Sequence, residues 1–212
     1  MLRSSERRRV AALVLGAALA LAPANVAPAA ASKPEDDARS FVQQTIDTVL
    51  TILRDKSIPL EEKKTRVEQI AYQRFDFELM SRLVLARNWD KFSAKQKADF
   101  VDAFKKHLSA TYRDTLNTFR DETITIGTSR IEKNEDVTVM TVVNGSADTT
   151  KVDYRMRSSE GGWRGIDVII EGVSLVQNFR AQAQEIVSAE GPDGLIKKLR
   201  AKQMKSPHAK KA

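Results

Sequence analysis

Ser174 is the residue whose surroundings most resemble those of a catalytic nucleophile. The segment Gly172-Val173-Ser174-Leu175-Val176 begins like the strand–turn–helix elbow of serine hydrolases, but its last position is not glycine. No histidine stands at a helpful place in the sequence, and the chain contains no cysteine. Gln177 follows Ser174 by three residues, which is the spacing of a capping box. We therefore expect Ser174 to begin a helix rather than to attack a substrate.

The histidines and acidic residues offer little further chemistry. His107 and His208 are the only histidines, too few for a multi-histidine metal site, and His107 falls on an apolar helical face, as core histidines do. Asp76, flanked by two phenylalanines, is the acid that an enzyme would use, although its position also fits a helix N-cap. There is no Walker loop and no G-x-G-x-x-G motif. We predict no catalytic residues, no metal site and no cofactor.

The N-terminus has the pattern of an export signal. Arg7-Arg8-Arg9 is a basic region, residues 10–21 are small or apolar, and Ala29-Ala30-Ala31 offers a cleavage site. The apolar run is too short for a membrane span, which takes about 20 residues, and no later segment comes close. We expect residues 1–31 to be a signal peptide cleaved near Ala31, by the secretory route or, alternatively, the twin-arginine route.

The positive charge of the chain lies at its two ends. Residues 1–31 carry +3 and residues 197–212 carry +7, against +7 for the whole chain, so residues 32–196 carry −3. The folded body is therefore not basic, and nucleic acid is not an expected partner of an exported chain. We expect one domain over residues 32–204 and a basic disordered tail over 205–212, either solvated or docked on anionic headgroups.

Four helical patterns are followed by four strands. Apolar residues recur with helical spacing over 36–55, from Pro59, and over 76–87, and Ser93 with Gln96 begins a fourth, longer helix. Its apolar face comprises Phe100, Phe104, Leu108, Tyr112, Leu116 and Phe119.

After Asp121 the period changes to two, which predicts strands over 123–132, 136–143, 149–157 and 163–171. A helix from Ser174 to Gly191 and a short one from Pro192 complete the chain. The sequence predicts an α+β fold with helices packed on one face of a curved four-stranded antiparallel sheet, of the NTF2-like kind, and C-terminal helices.

Three groups of motifs identify a family. They are Phe75-Asp76-Phe77 with Met80-Ser81 and Leu85-Ala86-Arg87-Asn88-Trp89; Trp163 with Asp167-Val168; and Glu171-Gly172-Val173-Ser174-Leu175-Val176-Gln177-Asn178-Phe179-Arg180. With the lengths between them, these motifs resemble MlaC, the toluene-tolerance family of periplasmic lipid carriers, over nearly the whole mature chain. The hopanoid-linked HpnM branch is the alternative within the family.

Three positions depart from the family pattern. Ala86 stands where the family usually has glycine, Gly165-Ile166 replaces a bulkier pair that often contains tyrosine, and Ala183 stands where an aromatic residue is common. All three change apolar volume, so they bear on the identity of the lipid more than on the fold.

The resemblance implies that the space between the helices and the sheet opens into a lipid cavity. A buried methylene group is worth about 0.8 kcal/mol, so a carrier between membranes must enclose the acyl chains. The headgroup would remain at the mouth, where Arg87 or Arg180 could meet its phosphate. We predict a lining of Leu79, Met80, Leu83, Phe100, Phe104, Leu108, Tyr112, Tyr154, Met156, Ile166, Val168 and Val173.

The resemblance also implies partners and a location. The cargo would be phospholipid or hopanoid. The partners would be an inner-membrane MCE-domain transporter complex and an outer-membrane lipoprotein–porin complex. The protein itself would be a monomer located in the periplasm. Two alternatives of other classes remain. An NTF2-like enzyme would place His107 or Asp76 inside the cavity, and a protein-binding adaptor would have an ordinary filled core.

Overall fold

Four α-helices form the first half of the described chain. The computed structural model describes residues 32–145 and 148–207. The predicted signal peptide, part of the turn after Asn144 and the last residues of the predicted tail lie outside these ranges. The helices are α1 (Pro34–Arg54), α2 (Leu60–Arg74), α3 (Phe77–Leu85) and α4 (Ala94–Arg113), with 3-10 segments at Ala86–Lys91 and Asp114–Thr118. In the part of the chain described, no helix combines the length and apolar character that crossing a bilayer needs.

Helix α4 begins as predicted and ends earlier than its apolar pattern suggests. Ser93 Oγ accepts a hydrogen bond from the Gln96 amide, and Gln96 Oε1 accepts one from the Ser93 amide, which completes the capping box. The helix tightens into a 3-10 turn after Arg113. There the hydroxyls of Thr115 and Thr118 donate to backbone carbonyls three residues earlier, in competition with the helical pattern.

The sheet is antiparallel throughout, and its strands follow chain order. They are β1 (Thr123–Ile131), β2 (Val137–Asn144), β3 (Thr149–Ser159), β4 (Gly162–Ile170) and β5 (Val173–Ser174). The predicted fold class is confirmed, but the sheet has five strands rather than four. Glu171 and Gly172 both have positive φ, as a type I′ hairpin turn requires, and so the chain folds back for two more residues.

Two irregularities in strand register curve the sheet. One interrupts the β1–β2 pairing between Ile126 and Ser129, and the other interrupts the β3–β4 pairing between Arg155 and Met156. An extra residue in one strand of a pair bends that strand and increases its twist. The resulting concave sheet leaves space beneath the helices.

The last helix, α5 (Leu175–Arg200), consists of two segments joined at Gly191. Ser174 Oγ accepts a hydrogen bond from the Gln177 amide at 3.0 Å, so the predicted cap is present. Gly191 has φ of +70°, and Pro192 begins the second segment. The predicted break in this helix is therefore confirmed.

Two separate apolar clusters hold the fold together. The helical core joins α3, α4 and α5, and the rings of Phe104 and Phe179 meet there edge to face with 5.2 Å between centroids. The sheet core packs α1 on β2 and β3, around residues such as Ile46 and Val139. Helix α2 belongs to neither cluster, and Lys64 is the one residue of this helix that is buried. The apolar side chains of α2 therefore face incompletely filled space.

Candidate functional site

Two apolar cavities lie on either side of the inner edge of α2. Their volumes are about 270 and 230 Å³. Val67, Ala71 and Phe75 line both of them. These three residues are four apart, so they form one row along the helix and its C-cap. We call this the dividing row, because a cavity opens on each side of it.

The cavity on the α4 side has an apolar body and a polar end. Its apolar lining outside the dividing row comprises Tyr72, Phe77, Met80, Leu108, Tyr112, Leu116, Val168 and Leu175. Lys64, Glu68, Ser109, Arg113 and Thr115 form the polar part of the lining. An apolar body with a few grouped polar side chains suits an amphipathic ligand.

The cavity on the α1 side is lined mainly by α1, α2 and the sheet. Its apolar residues outside the dividing row are Phe41, Val42, Ile46, Val49, Ile70, Ile124, Tyr154 and Met156. Burial raises the pKa of Tyr154 to about 12, so its hydroxyl stays neutral at any physiological pH. The Arg74 guanidinium lies 4.8 Å from the centroid of the Phe41 ring at this cavity.

Phe75 is held at the boundary by its close packing on β4. A Cβ added to Gly165 would lie only 2.5 Å from two carbon atoms of the Phe75 ring. The Asp76 amide donates to the Gly165 carbonyl at 2.9 Å, which fixes the backbone beside the ring. The volume that a bulkier residue would fill at position 165 is thus occupied by Phe75.

Six of the predicted lining residues lie at the cavities. Met80, Leu108, Tyr112 and Val168 line the α4-side cavity, and Tyr154 and Met156 line the α1-side cavity. The other predicted residues line neither of the two: Leu79, Leu83, Phe100, Phe104, Ile166 and Val173.

The residues outside the cavities have different surroundings. Phe100 and Phe104 are fully buried in the helical core, because the aromatic face of α4 packs on α5 rather than on the sheet. Ile166 is buried, Leu79 and Leu83 are half-buried, and Val173 is 40% exposed. A helical period shows which face is apolar but not which element covers it.

The two arginines predicted to meet the headgroup lie elsewhere. Arg87 is exposed on a 3-10 segment, and the Nε of Arg180 donates to the Leu83 carbonyl at 2.8 Å. Neither lines either apolar cavity. The cations that do line a cavity are Lys64 and Arg113 on the α4 side and Arg74 on the α1 side, and none of the three was predicted to meet the headgroup. The only sequence signal was that Lys64 stands three residues before Val67, on the inner face of α2.

Four charged side chains form a cluster at the polar end of the α4-side cavity. Lys64 Nζ lies 2.6 Å from Glu61 Oε1, and Arg113 joins the two acids of α2, at 3.0 Å to Glu61 and 3.1 Å to Glu68. The Lys64 side chain is 7% exposed. We call Glu61, Lys64, Glu68 and Arg113 the charge cluster.

Hydrogen bonds keep the acids of the charge cluster ionised. Burial acts to raise the pKa of Glu68, but hydrogen bonds from the Ser109 and Tyr72 hydroxyls and the charge of Arg113 outweigh it and lower that pKa. Hydrogen bonds from Lys64 and Arg113 likewise lower the pKa of Glu61. Both acids are therefore carboxylates at neutral pH.

The candidate enzyme residues are outside the two apolar cavities. Asp76 Oδ1 accepts a hydrogen bond from the Leu79 amide at 2.8 Å, which makes Asp76 the N-cap of α3. His107 is buried in the helical core, with its ring 5.5 Å from that of Phe179. Within residues 32–145 and 148–207, no group of three or more His, Cys, Asp or Glu side chains could hold a metal ion.

Part of the predicted tail is attached to the helices. The Lys205 amide donates to Gln182 Oε1 at 2.8 Å, and the Tyr112 hydroxyl donates to the Pro207 carbonyl at 2.9 Å. Burial raises the pKa of Tyr112 to about 12, so this hydroxyl remains a donor. Residues 205–207 are thus hydrogen-bonded to α4 and α5.

Comparisons with known proteins agree with this fold. A phospholipid-binding protein from Ralstonia solanacearum, solved in complex with a phospholipid, superposes with a TM-score of 0.71 and 27% identity, over 78% of this chain and 96% of that one. The toluene tolerance protein ttg2D of Pseudomonas putida is 24% identical over 104 residues. That match spans 49% of this chain and about half the length of the relative, 48%.

The strongest evidence for the family is the extent of the match to its model. Residues 43–201 match the family described as MlaC protein. The matched range begins within α1 and ends just after α5, so it includes the sheet, the Ser174 cap and every residue lining the two cavities except Phe41 and Val42. The chain therefore belongs to the MlaC family.

Proposed function

We propose that this protein is a periplasmic lipid carrier that holds the acyl chains of a phospholipid in the two cavities beside α2. The observation that carries this proposal is the pair of neighbouring apolar cavities, which share the dividing row as part of their lining. Ligand pockets usually measure about 300–1,000 Å³. Each cavity alone is slightly smaller than this range, and the two together are within it.

The energetics favour an enclosed chain. Each methylene group moved from water to an apolar environment contributes about 0.8 kcal/mol, so an acyl chain of ordinary length gains on the order of 10 kcal/mol. Tyr154 and Tyr112, both with neutral hydroxyls, add no charge to these walls. The adaptor alternative requires a filled core, whereas the space beside α2 is open.

The proposed route connects two membranes. An exported carrier would take phospholipid from one membrane complex and deliver it to another, with an inner-membrane MCE-domain transporter complex and an outer-membrane lipoprotein–porin complex as its partners. Membership of the MlaC family supports this role, as does similarity to a protein whose structure contains a phospholipid. The sequence has no nucleotide-binding motif, so the direction of transport would come from the partners.

The test is to purify the mature chain without detergent and identify bound lipid by native mass spectrometry followed by organic extraction. We expect phospholipid in a fixed ratio to protein. Val168→Glu places a charge in the α4-side cavity and Tyr154→Glu places one in the α1-side cavity. Val173→Glu is the matched control, because Val173 was predicted to line the cavity but is exposed.

We expect both cavity variants to lose most of their lipid while circular dichroism still shows the fold, and the control to stay loaded. If the bound lipid is a hopanoid, the carrier function is retained but its cargo is a hopanoid rather than a phospholipid. Protein that is free of lipid and takes none from vesicles would overturn the proposal in favour of the adaptor.

A further inference from the structure

The charge cluster differs from the ordinary ion pairs of the helix surface. The pair Lys95–Asp99 is typical of the latter, since its lysine side chain is 85% exposed and both residues lie on one helix. Lys64, in contrast, is almost fully buried at a cavity, and Arg113 bridges from α4 to two acids of α2. Holding a lysine at such a place is costly unless its charge is compensated. Lys64, Glu68 and Arg113 are therefore part of the cavity lining, and Glu61 joins them from the solvent side.

The cluster contains two positive and two negative side chains. A phosphate that arrives alone must compete at Lys64 and Arg113 with the carboxylates already paired with them. Glu61 is the carboxylate that can leave, because it is 71% exposed, and the carboxylate of Glu68 would then remain beside the phosphate, since Glu68 lines the same cavity. Like charges at such a distance repel, and the repulsion is stronger where water is partly excluded. A headgroup with net negative charge is therefore disfavoured.

A headgroup with both charges does not have this problem. Its phosphate can take the place of a carboxylate at Lys64 and Arg113, while its ammonium group pairs with the carboxylate that was released. Glu61 can make this exchange readily, because its side chain is 71% exposed and joins the two cations from the solvent side. The total number of opposite-charge contacts is then maintained.

We propose that the charge cluster is a headgroup site that selects zwitterionic phospholipids, such as phosphatidylethanolamine, over anionic ones. In this site Lys64 and Arg113 bind the phosphate, and Glu61 and Glu68 bind the ammonium group. This inference rests on the proposed carrier function and specifies its cargo. It makes Glu61 a specificity-determining residue, since it is the acid that both cations share.

The experiment is a competition for the delipidated full-length mature chain. Vesicles contain equimolar phosphatidylethanolamine and phosphatidylglycerol with identical acyl chains, and the lipids bound to the re-isolated protein are quantified by mass spectrometry. Glu61→Gln removes one negative charge from the cluster. Glu62→Gln is the matched control, because Glu62 is also in the first turn of α2 but forms its salt bridge with Arg66 rather than with the charge cluster.

We expect the natural sequence and Glu62→Gln to bind phosphatidylethanolamine preferentially. Glu61→Gln should shift the ratio toward phosphatidylglycerol by about two- to fivefold, the size of one partly exposed ion pair. Lys64→Gln, which removes a phosphate ligand, should reduce total loading.

Each other outcome has a separate meaning. Lipid uptake without a preference, or an unchanged ratio in Glu61→Gln, would overturn the selection by the charge cluster and leave the carrier function intact. No uptake of either lipid by the natural sequence would contradict the carrier function itself.

Discussion

The Ser174 hydroxyl donates a 2.5 Å hydrogen bond to the Asp167 carboxylate and accepts one from the Gln177 amide. Asp167 Oδ1 also accepts from the Val176 amide at 3.1 Å, so a strand residue and a cap residue together complete the first turn of α5. Asp167 is 1% exposed. Burial raises the pKa of Asp167 even though these hydrogen bonds act to lower it. Without the hydrogen bonds the ionised carboxylate would therefore be still less stable in the fold.

We predict that Ser174→Ala destabilises the protein by more than the loss of a helix cap alone. A lost cap costs about 1 kcal/mol, and a buried carboxylate that loses a hydrogen bond adds about 1–3 kcal/mol. Ser93→Ala is the matched control, because Ser93 also caps a helix, α4, but is itself exposed to solvent. The measurement is the free energy of unfolding in urea, and equal losses in the two variants would show that the contact with Asp167 is unimportant.

We predict that Gly165→Ala is destabilising by about 1–3 kcal/mol, the usual cost of overpacking. The new Cβ would lie 2.5 Å from the Phe75 ring, so the ring must move into the cavities, and lipid uptake should fall as well. Gly127→Ala is the control, because its nearest neighbour would be at 3.4 Å. Thermal unfolding and vesicle uptake measure the two effects. Unchanged uptake in folded Gly165→Ala protein would show that the position of Phe75 does not limit the cavities.

Local sequence signals predicted most of the fold. The capping residues Ser93 and Ser174, the break at Gly191 and all four long strands were predicted from spacing and turn chemistry. The fifth strand was missed, because it depends on positive φ at Glu171, a conformation that glutamate seldom adopts. Such a strain is set by the surrounding structure and leaves no local signal.

The site was less predictable than the fold. Phe100 and Phe104 have the same apolar character and period as Leu108 and Tyr112, yet only the second pair lines a cavity. Which of them does so depends on the position of α5, which sequence spacing does not give. Lys64 was missed for a related reason: a lysine is expected at the surface, and only the packed helices show that this one is buried.

The backbone at Ala86 suggests a stabilising substitution. Ala86, the C-cap of α3, has φ of +47° and ψ of −124°, a conformation that suits glycine much better than alanine. We predict that Ala86→Gly stabilises the protein by about 1 kcal/mol and raises Tm by about 2–4 °C. Ala98→Gly, in the regular part of α4, should instead destabilise it by about 1 kcal/mol. Differential scanning calorimetry measures both, and a lower Tm for Ala86→Gly would contradict the assigned strain.

His107 should make stability depend on pH. Burial lowers the pKa of His107 below its ordinary value of 6.5, and the charge of Lys202 acts in the same direction. A histidine with a lowered pKa in the folded state contributes its full stability above the unfolded-state pKa, and this contribution is lost as the pH falls below about 6.5. The unfolded chain then binds a proton that the folded chain does not.

We therefore predict that the free energy of unfolding decreases between about pH 7 and pH 5, with a slope of up to about 1.4 kcal/mol per pH unit from this residue. His107→Gln cannot bind the proton, so its stability should change less over the same range. Urea unfolding of both proteins at several pH values measures the difference. Parallel pH profiles would mean that the pKa of His107 is not lowered by folding, and that other groups cause any loss of stability in acid.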